Sequence, residues 1–306
     1  MKSETNMQTE FDPTPGIAEQ LDPGLTRILA PNPSPMTFMG TNTYLLGDAR
    51  LTIVDPGPES SEHLSAILAA IKGRPVDQII VTHSHLDHSP LARPLAGETG
   101  AKILAFGDSN AGQSPVMQQL AAQGLAGGGE GVDVNFEFDQ RVNDGEIIDA
   151  ECPIRVIHTP GHMGNHIALG WQDVVLTGDH VMGWASSLVS PPDGDLTDFM
   201  QSCVKLQSIP ARRYHAGHGA PMDDPHGRLA ELIQHRKSRE QQILQALSTG
   251  CTTASEVTQT VYTDVNPRLF PAAERNVFAH LVDLVGRDVI TAQPQISINA
   301  RFELRR

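Results

Sequence analysis

Short apolar runs alternate with segments of helical spacing over the first two thirds of the chain. Residues 25–29, 51–54, 78–82, 154–157 and 174–176 are rich in β-branched and other apolar side chains, which predicts short buried strands. Between two of these strands, apolar residues recur every three or four positions at Leu64, Ile67, Leu68 and Ile71, which predicts a helix over residues 61–71. This alternation is typical of an α/β fold in which helices cover layers of strands.

The pattern changes near residue 223, where helical spacing becomes dominant. Apolar positions predict helices over residues 229–247 and 272–285, and Thr253 with Glu256 predicts another helix start between them. Residues 289–302 predict a pair of strands. We therefore expect a disordered tail over residues 1–22, a large domain over residues 23–222, and a helical linker with a small domain over residues 223–306.

Metal-binding residue types follow the strand at residues 78–82 directly. His83, His85, Asp87 and His88 fall within six positions, where the chain leaves the sheet. His83 and His85 at alternate positions can hold one ion, and Asp87 and His88 just past the bend can hold another. Imidazole nitrogens and carboxylate oxygens are ligands that zinc favours. The alternative is a polar loop that contains histidines by chance, which this spacing disfavours.

Three later segments repeat the same local arrangement, in which a strand leads into a turn that contains glycine and a candidate ligand. The candidates are His162 after Gly161, Asp179 after Gly178, and His218 between two glycines. Of the 13 histidines in the chain, nine fall in these segments and in the loop after residue 82. Since ligands so distant in sequence meet only in a folded domain, the spacing predicts one shared site at the strand ends.

Taken in order, these motifs resemble those of the metallo-β-lactamase fold superfamily. The matching positions are Asp55, His83-x-His85-x-Asp87-His88, Gly161-His162, Gly178-Asp179 and Gly217-His218-Gly219. The segments at residues 32–37, 40–45 and 235–244 further resemble the lactamase-β-like branch with a C-terminal winged-helix domain, whose members include a mitochondrial endoribonuclease. The resemblance implies an αββα sandwich followed by a winged-helix-like domain.

The resemblance also implies a pair of metal ions. His83, His85 and His162 would hold one zinc, Asp87, His88 and His218 the other, and Asp179 would bridge the two. We expect Asp87, Asp179 and Asp55 to be the residues that support catalysis. Asp55 would orient the loop of residues 83–88 rather than bind an ion. The cofactor prediction is two Zn²⁺, with iron or manganese as alternatives.

Charge is unevenly distributed along the chain. The formal net charge is −14, from 22 basic and 36 acidic residues. Residues 223–306 contain 10 of each sign, so residues 1–222 hold 12 basic against 26 acidic residues and carry the whole net charge. Nucleic acids bind through clustered Lys and Arg, so this balance favours a small-molecule substrate over nucleic acid, although metal ions would locally reverse the sign.

The cysteine content and the N-terminal residues indicate the cellular compartment of the protein. The three cysteines, Cys152, Cys203 and Cys251, have no CxxC spacing, which predicts a reduced, cytoplasmic protein. The polar start of the chain lacks the features of a signal peptide, and the apolar segments are too short to span a membrane. We expect no membrane partner, while the sequence allows a homo-oligomer.

The leading functional hypothesis is a dinuclear metal-dependent hydrolase in which metal-bound hydroxide attacks a small ester, thioester or lactone. One alternative is a phosphodiesterase or endoribonuclease, which the nearest resemblance favours. The other is a DNA- or protein-binding regulator whose winged helix carries the function. A helix that reads DNA needs basic residues, and helix 272–285 offers Arg275 as its basic residue. We therefore expect residues 223–306 to brace the large domain or a partner subunit, and to wall one side of the substrate cleft.

Several polar residues near the motifs are open to more than one interpretation. We expect His158 and His166 to be hydrogen-bonded neighbours of the ligands or part of the core, and His215 to be structural. Thr41 and Asn42 could form a turn or face the substrate, and the role of His180 is undetermined.

Overall fold

The computed structural model describes residues 11–263 and 266–305, and most of its strands belong to two sheets. Strands of the first sheet are antiparallel from β1 to β4 and parallel from β4 to β7. In spatial order they are β1 (Ala18–Asp22), β2 (Leu25–Leu29), β3 (Asn42–Leu46), β4 (Leu51–Val54), β5 (Val76–Ile80), β6 (Lys102–Ala105) and β7 (Gln140–Arg141).

The second sheet faces the first. Its β11 runs parallel to β12, and its other neighbouring strands are antiparallel. In chain order the strands are β8 (Ile147–Ile148), β9 (Ile154–His158), β10 (Ile167–Trp171), β11 (Val174–Gly178) and β12 (Arg213–Ala216).

Helices cover both outer faces of the sandwich. Successive side chains of β5 point to opposite faces of the first sheet, so both faces are covered. Ile80 packs between the two sheets, while Ile79 packs against the helices outside the first sheet. On that side lie α1 (Ser61–Ile71) and α2 (Ala92–Thr99), whereas α4 (Leu196–Gln207) covers the second sheet. This is the αββα arrangement that the resemblance implied. It leaves the loops at one edge of both sheets free to meet.

The C-terminal part contains three further helices and a strand pair with their own apolar core. These are α5 (Pro225–Ser248), α6 (Ala254–Val261), α7 (Phe270–Gly286), β13 (Ile290–Gln293) and β14 (Arg301–Leu304). Thr253 and Glu256 form the predicted capping box of α6. Met117 and Leu120 of α3 (Pro115–Ala122) belong to the same core, so this unit packs on the sandwich.

Helix α5 links the two units without a break. Leu229 and Leu232 in its first half pack with α4 beside the second sheet, whereas Ile243 and Leu247 pack in the C-terminal core. Ala279 of α7 also reaches the core beside α4. The C-terminal unit therefore braces the large domain along a helix that belongs to both.

The expectation of a disordered tail over residues 1–22 is wrong for its last part. Ala18–Asp22 forms β1, which pairs with β2, and the Arg27 guanidinium lies 4.7 Å from the ring centre of the buried Phe11. The pattern gave no signal because β1 is held by backbone pairing and has exposed or half-buried side chains. Residues 1–10 lie outside the described part.

None of the helices among residues 11–263 and 266–305 is long and apolar enough to cross a membrane.

Candidate metal centre

The predicted ligands lie in loops at one edge of the sandwich. His83 comes shortly after the buried strand β5, and His162 follows β9. Asp179 comes directly after β11, and His218 follows β12. Because these strands are fixed by buried apolar side chains, the loops that follow them converge on one region.

All seven predicted ligands fall into two groups whose nitrogen and oxygen atoms lie within 4.8 Å of one another. The three-histidine cluster contains His83, His85 and His162, and the mixed cluster contains Asp87, His88, Asp179 and His218. Every member is buried. The structure therefore brings the predicted ligands together in two sets, with Asp179 in the mixed cluster.

Nitrogen lone pairs crowd the centre of the three-histidine cluster. Nδ1 of His85 lies 3.0 Å from Nε2 of His83 and 3.0 Å from Nε2 of His162. The single hydroxyl hydrogen of Thr82 is donated to Asp55, so its oxygen accepts from Nδ1–H of His83 and leaves Nε2 of His83 unprotonated. The carbonyl of Leu188 likewise accepts from Nδ1–H of His162.

Two nitrogen lone pairs thus face Nδ1 of His85, which can carry at most one hydrogen. A hydrogen bond can satisfy one of them and not both. A cation among the three nitrogens satisfies all of them, so the donor set fits a metal ion.

The mixed cluster places carboxylates between imidazoles. Nε2 of His218 lies 3.1 Å from Oδ2 of Asp87 and 3.2 Å from Oδ2 of Asp179. The same Asp179 oxygen lies 3.6 Å from Nε2 of His162 in the other cluster. Among the described residues, no hydrogen bond satisfies the buried Oδ1 atoms of Asp87 and Asp179. These unsatisfied oxygens fit a second ion, and Asp179 is placed to serve both.

Electrostatics in the mixed cluster favour positive charge. Burial acts to lower the pKa of His218, but the carboxylates of Asp179 and Asp87 raise this pKa to about 10. In the three-histidine cluster, burial and the neighbouring His162 lower the pKa of His85 to about 3 despite the nearby carboxylates. The first cluster therefore offers neutral imidazoles, and the second offers carboxylates that stabilise a cation.

Asp55 belongs to neither cluster, but its hydrogen bonds hold the loop that carries His83 and His88. Its Oδ1 accepts from the Thr82 amide, and its Oδ2 accepts from the Thr82 hydroxyl and from Nδ1 of His88. His88 is thereby fixed with Nε2 toward the mixed cluster. The orienting role of Asp55 stays a prediction, and these contacts are the ones through which it would act.

The neighbouring histidines lie outside both clusters. Nε2 of His166 accepts from the Asp179 amide, and Nδ1 of His166 is 2.8 Å from the Thr159 hydroxyl. His158 stacks on Phe106. The remaining pair are fully buried: His180 packs on Phe199 inside the core, and His215 contacts Tyr44.

Thr41 and Asn42 connect the two sheets and are fully buried, so neither faces a substrate. The Asn42 side-chain nitrogen donates to the carbonyls of Ala216 and Gly219, and Thr41 forms a backbone bridge with His218. Nδ1 of His218 lies 3.1 Å from the Gly40 carbonyl, which leaves Nε2 for the mixed cluster. These contacts fix the His218 loop.

A cleft of about 310 Å³ opens above the two clusters. Five predicted ligands form its floor: His85, Asp87, His162, Asp179 and His218. Its walls are mainly apolar, with Pro35, Met36, Met182, Trp184, Ala185 and Leu188 from the sandwich and Tyr262, Leu269, Ala272 and Ala273 from the C-terminal unit. Among the described lining residues there is no Lys or Arg, and Glu130 is the charged residue outside the clusters.

The chain matches two known sequence families. Residues 36–218 match the metallo-beta-lactamase superfamily, and residues 253–294 match the beta-lactamase associated winged helix domain. A Drosophila melanogaster protein named beta-lactamase-like protein 2 homolog is 31% identical over 278 residues, covering 87% of this chain and 89% of the relative. An atrochrysone carboxyl ACP thioesterase from Aspergillus fumigatus is 30% identical over 238 residues, covering 74% of this chain and 66% of the relative.

A solved metallo-beta-lactamase family protein from Thermus thermophilus is similar over 94% of this chain and 100% of its own, with a TM-score of 0.74 and 26% identity. The protein therefore belongs to the metallo-beta-lactamase superfamily. Within it, the chain combines the metal-dependent hydrolase fold with a C-terminal winged-helix domain, formed here by α6, α7 and the β13–β14 pair together with the end of α5.

Of the groups that hold the predicted ligands in place, the sequence indicated Asp55 but not Thr82 or the carbonyls of Leu188 and Gly40. Thr82 could have been found, because it sits between the strand and the first ligand. The Leu188 and Gly40 carbonyls carry no side-chain signal. Asn276 also lines the cleft, but the sequence pattern of its helix indicated only the apolar positions that pack in the core.

Proposed function

We propose that the protein is a two-metal hydrolase that cleaves the thioester of an apolar acyl group. The observation that carries this proposal is the cleft, whose floor is formed by ligand residues and whose walls are apolar without a basic side chain. Apolar walls bury an acyl chain favourably, whereas a phosphodiester backbone would find no Lys or Arg there. The thioesterase name of the Aspergillus fumigatus relative supports the same substrate class.

His83, His85 and His162 would hold one divalent ion, and Asp87, His88 and His218 the other, with Asp179 shared. Bound there, such ions lower the pKa of water and polarise the acyl oxygen. Zinc is the metal that we propose, because imidazole and carboxylate donors suit it.

The chain's own residues supply position and a dry environment. Asp55 and the Leu188 and Gly40 carbonyls keep the imidazoles oriented, so that little rearrangement is needed during the reaction. The apolar walls exclude bulk water from the acyl chain. Water adds to the acyl carbon, the carbon–sulfur bond breaks, and the leaving thiolate takes up a proton that water supplied.

A substrate panel on the purified, metal-analysed chain tests the proposal. The panel contains a neutral medium-chain acyl thioester, the matching oxyester, a lactone, a simple phosphodiester and single-stranded RNA. We expect the thioester to have the highest kcat/KM, and we expect Asp87→Ala to lose this turnover. Asp173→Ala is a matched control, because Asp173 is exposed and pairs with Arg212 at the surface.

The endoribonuclease hypothesis makes the opposite prediction. If RNA were cleaved with a higher kcat/KM than the thioester, and if this activity fell steeply with added salt, the thioesterase proposal would be wrong.

A further inference from the structure

A single peptide group joins the ligand His162 to the winged-helix domain. Nδ1–H of His162 donates to the carbonyl of Leu188 at 2.8 Å. The N–H of the same peptide group, which belongs to Val189, donates to Oδ1 of Asn276 in α7 at 3.3 Å. Because the peptide group is planar, fixing its N–H also fixes the direction of its carbonyl. The Asn276 oxygen therefore constrains the acceptor that orients His162.

Two donors determine which way the Asn276 amide points. Besides the Val189 N–H, Nη1 of Arg236 donates to the same atom at 3.1 Å. Since an amide nitrogen cannot accept a hydrogen bond, the atom that receives both donors is the oxygen. The orientation of the amide therefore follows from its partners.

Arg236 makes this arrangement rigid. Its side chain is 3% exposed, donates to the Ser187 carbonyl and lies 5.1 Å above the ring of Phe199. A buried guanidinium that lost its acceptors would carry a large desolvation cost, so it has few alternative positions. Arg236 and Asn276 therefore form hydrogen bonds on both sides of Leu188, with the Ser187 carbonyl and the Val189 N–H, respectively.

We propose that Asn276 is a positioning residue through which the winged-helix domain sets the imidazole of His162 for metal binding. This inference rests on the metal site of the proposed function. Without the Asn276 oxygen, the Val189 N–H loses its partner and the Leu188 carbonyl is free to turn away from His162. The ion in the three-histidine cluster then binds more weakly, by about 10- to 100-fold, as is typical when the partner of a ligating histidine is lost.

Metal affinity of the full chain tests the proposal without any substrate. Zn²⁺ binding is measured by competition with a chromophoric chelator for the unmodified chain, Asn276→Ala, Asn276→Asp and Glu274→Gln. We expect Asn276→Ala to weaken one of the two binding steps by about 10- to 100-fold. Asn276→Asp should bind as the unmodified chain does, because a carboxylate oxygen still accepts from Val189 and Arg236. Glu274→Gln, on the same helix, is the control and should have no effect.

The outcomes separate the inference from the proposed function. Asn276→Ala with both binding steps unchanged would overturn the positioning role. Equal weakening of both steps in Asn276→Ala and Asn276→Asp, together with a lower Tm, would indicate general loosening and would also overturn it. If the unmodified chain bound no divalent ion, the proposed metal site would fail, and the inference would fail with it.

Discussion

At the scale of single residues, the site depends on groups that hold four of the five predicted histidine ligands by the ring nitrogen that faces away from the clusters. Thr82, Asp55, the Leu188 carbonyl and the Gly40 carbonyl accept from His83, His88, His162 and His218, respectively. Each acceptor fixes a tautomer, so Nε2 is left to bind metal. These groups decide whether the predicted ligands can act together.

Asp179 should decide how many ions remain bound. Its carboxylate lies within reach of histidines of both clusters, so Asp179→Ala removes a shared ligand and should lower metal content and hydrolysis together. Elemental analysis of purified protein, with Asp173→Ala as the surface control, measures this. His166→Ala should cost less, about 10- to 100-fold in activity, because His166 is outside both clusters and contacts Asp179 through its backbone amide rather than its carboxylate. One metal per chain in both the unmodified protein and Asp179→Ala would contradict the two-ion arrangement.

Gly217 is required for space beside the mixed cluster. A Cβ atom there would lie 2.3 Å from Oδ1 of Asp179 and 2.8 Å from Cε1 of His88, closer than atoms can approach. We expect Gly217→Ala to displace these ligands and to reduce metal content and activity to near the background level.

The control for Gly217→Ala is Gly286→Ala, whose added Cβ would lie within 4 Å of no described heavy atom beyond its chain neighbours and the nearby backbone of its own helix. Gly286 lies at the end of α7, so that change should leave metal content intact and should not lower Tm. Normal metal content in Gly217→Ala would show that the loop can shift to make room.

The motif residues could be predicted from sequence because their side chains carry the chemistry. His83, His85, Asp87 and His88 stand at a strand end in an unusual concentration, and glycines mark the other turns. The supporting acceptors at Leu188 and Gly40 could not be predicted, since every residue has a carbonyl. Asn276 could not be predicted either, because its contact with Val189 depends on how α7 docks on the sandwich.

At the scale of elements, α7 packs against its own chain. Val277, Phe278 and Leu281 are buried in the C-terminal core, and Arg275 donates to the carbonyl of Pro191 in the large domain. Its first turns line the cleft through Ala272 and Ala273. This agrees with the sequence-based expectation that residues 223–306 wall part of the cleft.

Substitution on α7 should therefore change acyl-chain selectivity. Ala272 is half-buried at the cleft wall, and Ala272→Phe would fill space that a long acyl chain needs. We expect kcat/KM for a medium-chain thioester to fall roughly tenfold or more, while an acetyl thioester is affected much less. Ala272→Ser, which nearly keeps the size, is the control. An equal loss on both substrates would argue that Ala272 lies outside the acyl path.

Strands and helices with strong apolar periodicity were predictable, whereas edge elements were not. β5 and α1 follow from their side-chain patterns, and Thr253 with Glu256 marks the start of α6. β1 was missed because an edge strand can form through its backbone alone. The packing of α5 on both units could not be predicted either, because an apolar stripe on a helix does not show which other elements it will contact.

At the scale of the whole molecule, the net charge of −14 sets the field around the cleft. An acidic surface repels anionic substrates over a distance that added salt shortens. The approach of a neutral substrate is not affected by this field. Two substrates with the same acyl group should therefore differ in their response to this field only through the charge of the portion that stays outside the apolar cleft.

Salt should therefore help an anionic thioester and leave a neutral one unchanged. We compare a coenzyme A thioester, whose phosphates are negative, with the same acyl group on N-acetylcysteamine, each at about 20 mM and 200 mM NaCl, where the Debye length falls from about 20 Å to below 10 Å. kcat/KM should rise with salt for the coenzyme A thioester and stay level for the neutral one. A nucleic-acid-type site would give the opposite trend, because displaced counterions make binding to basic residues weaker as salt increases. A fall in kcat/KM for the coenzyme A thioester with added salt would therefore point to a basic docking surface and contradict the acidic field as the controlling effect.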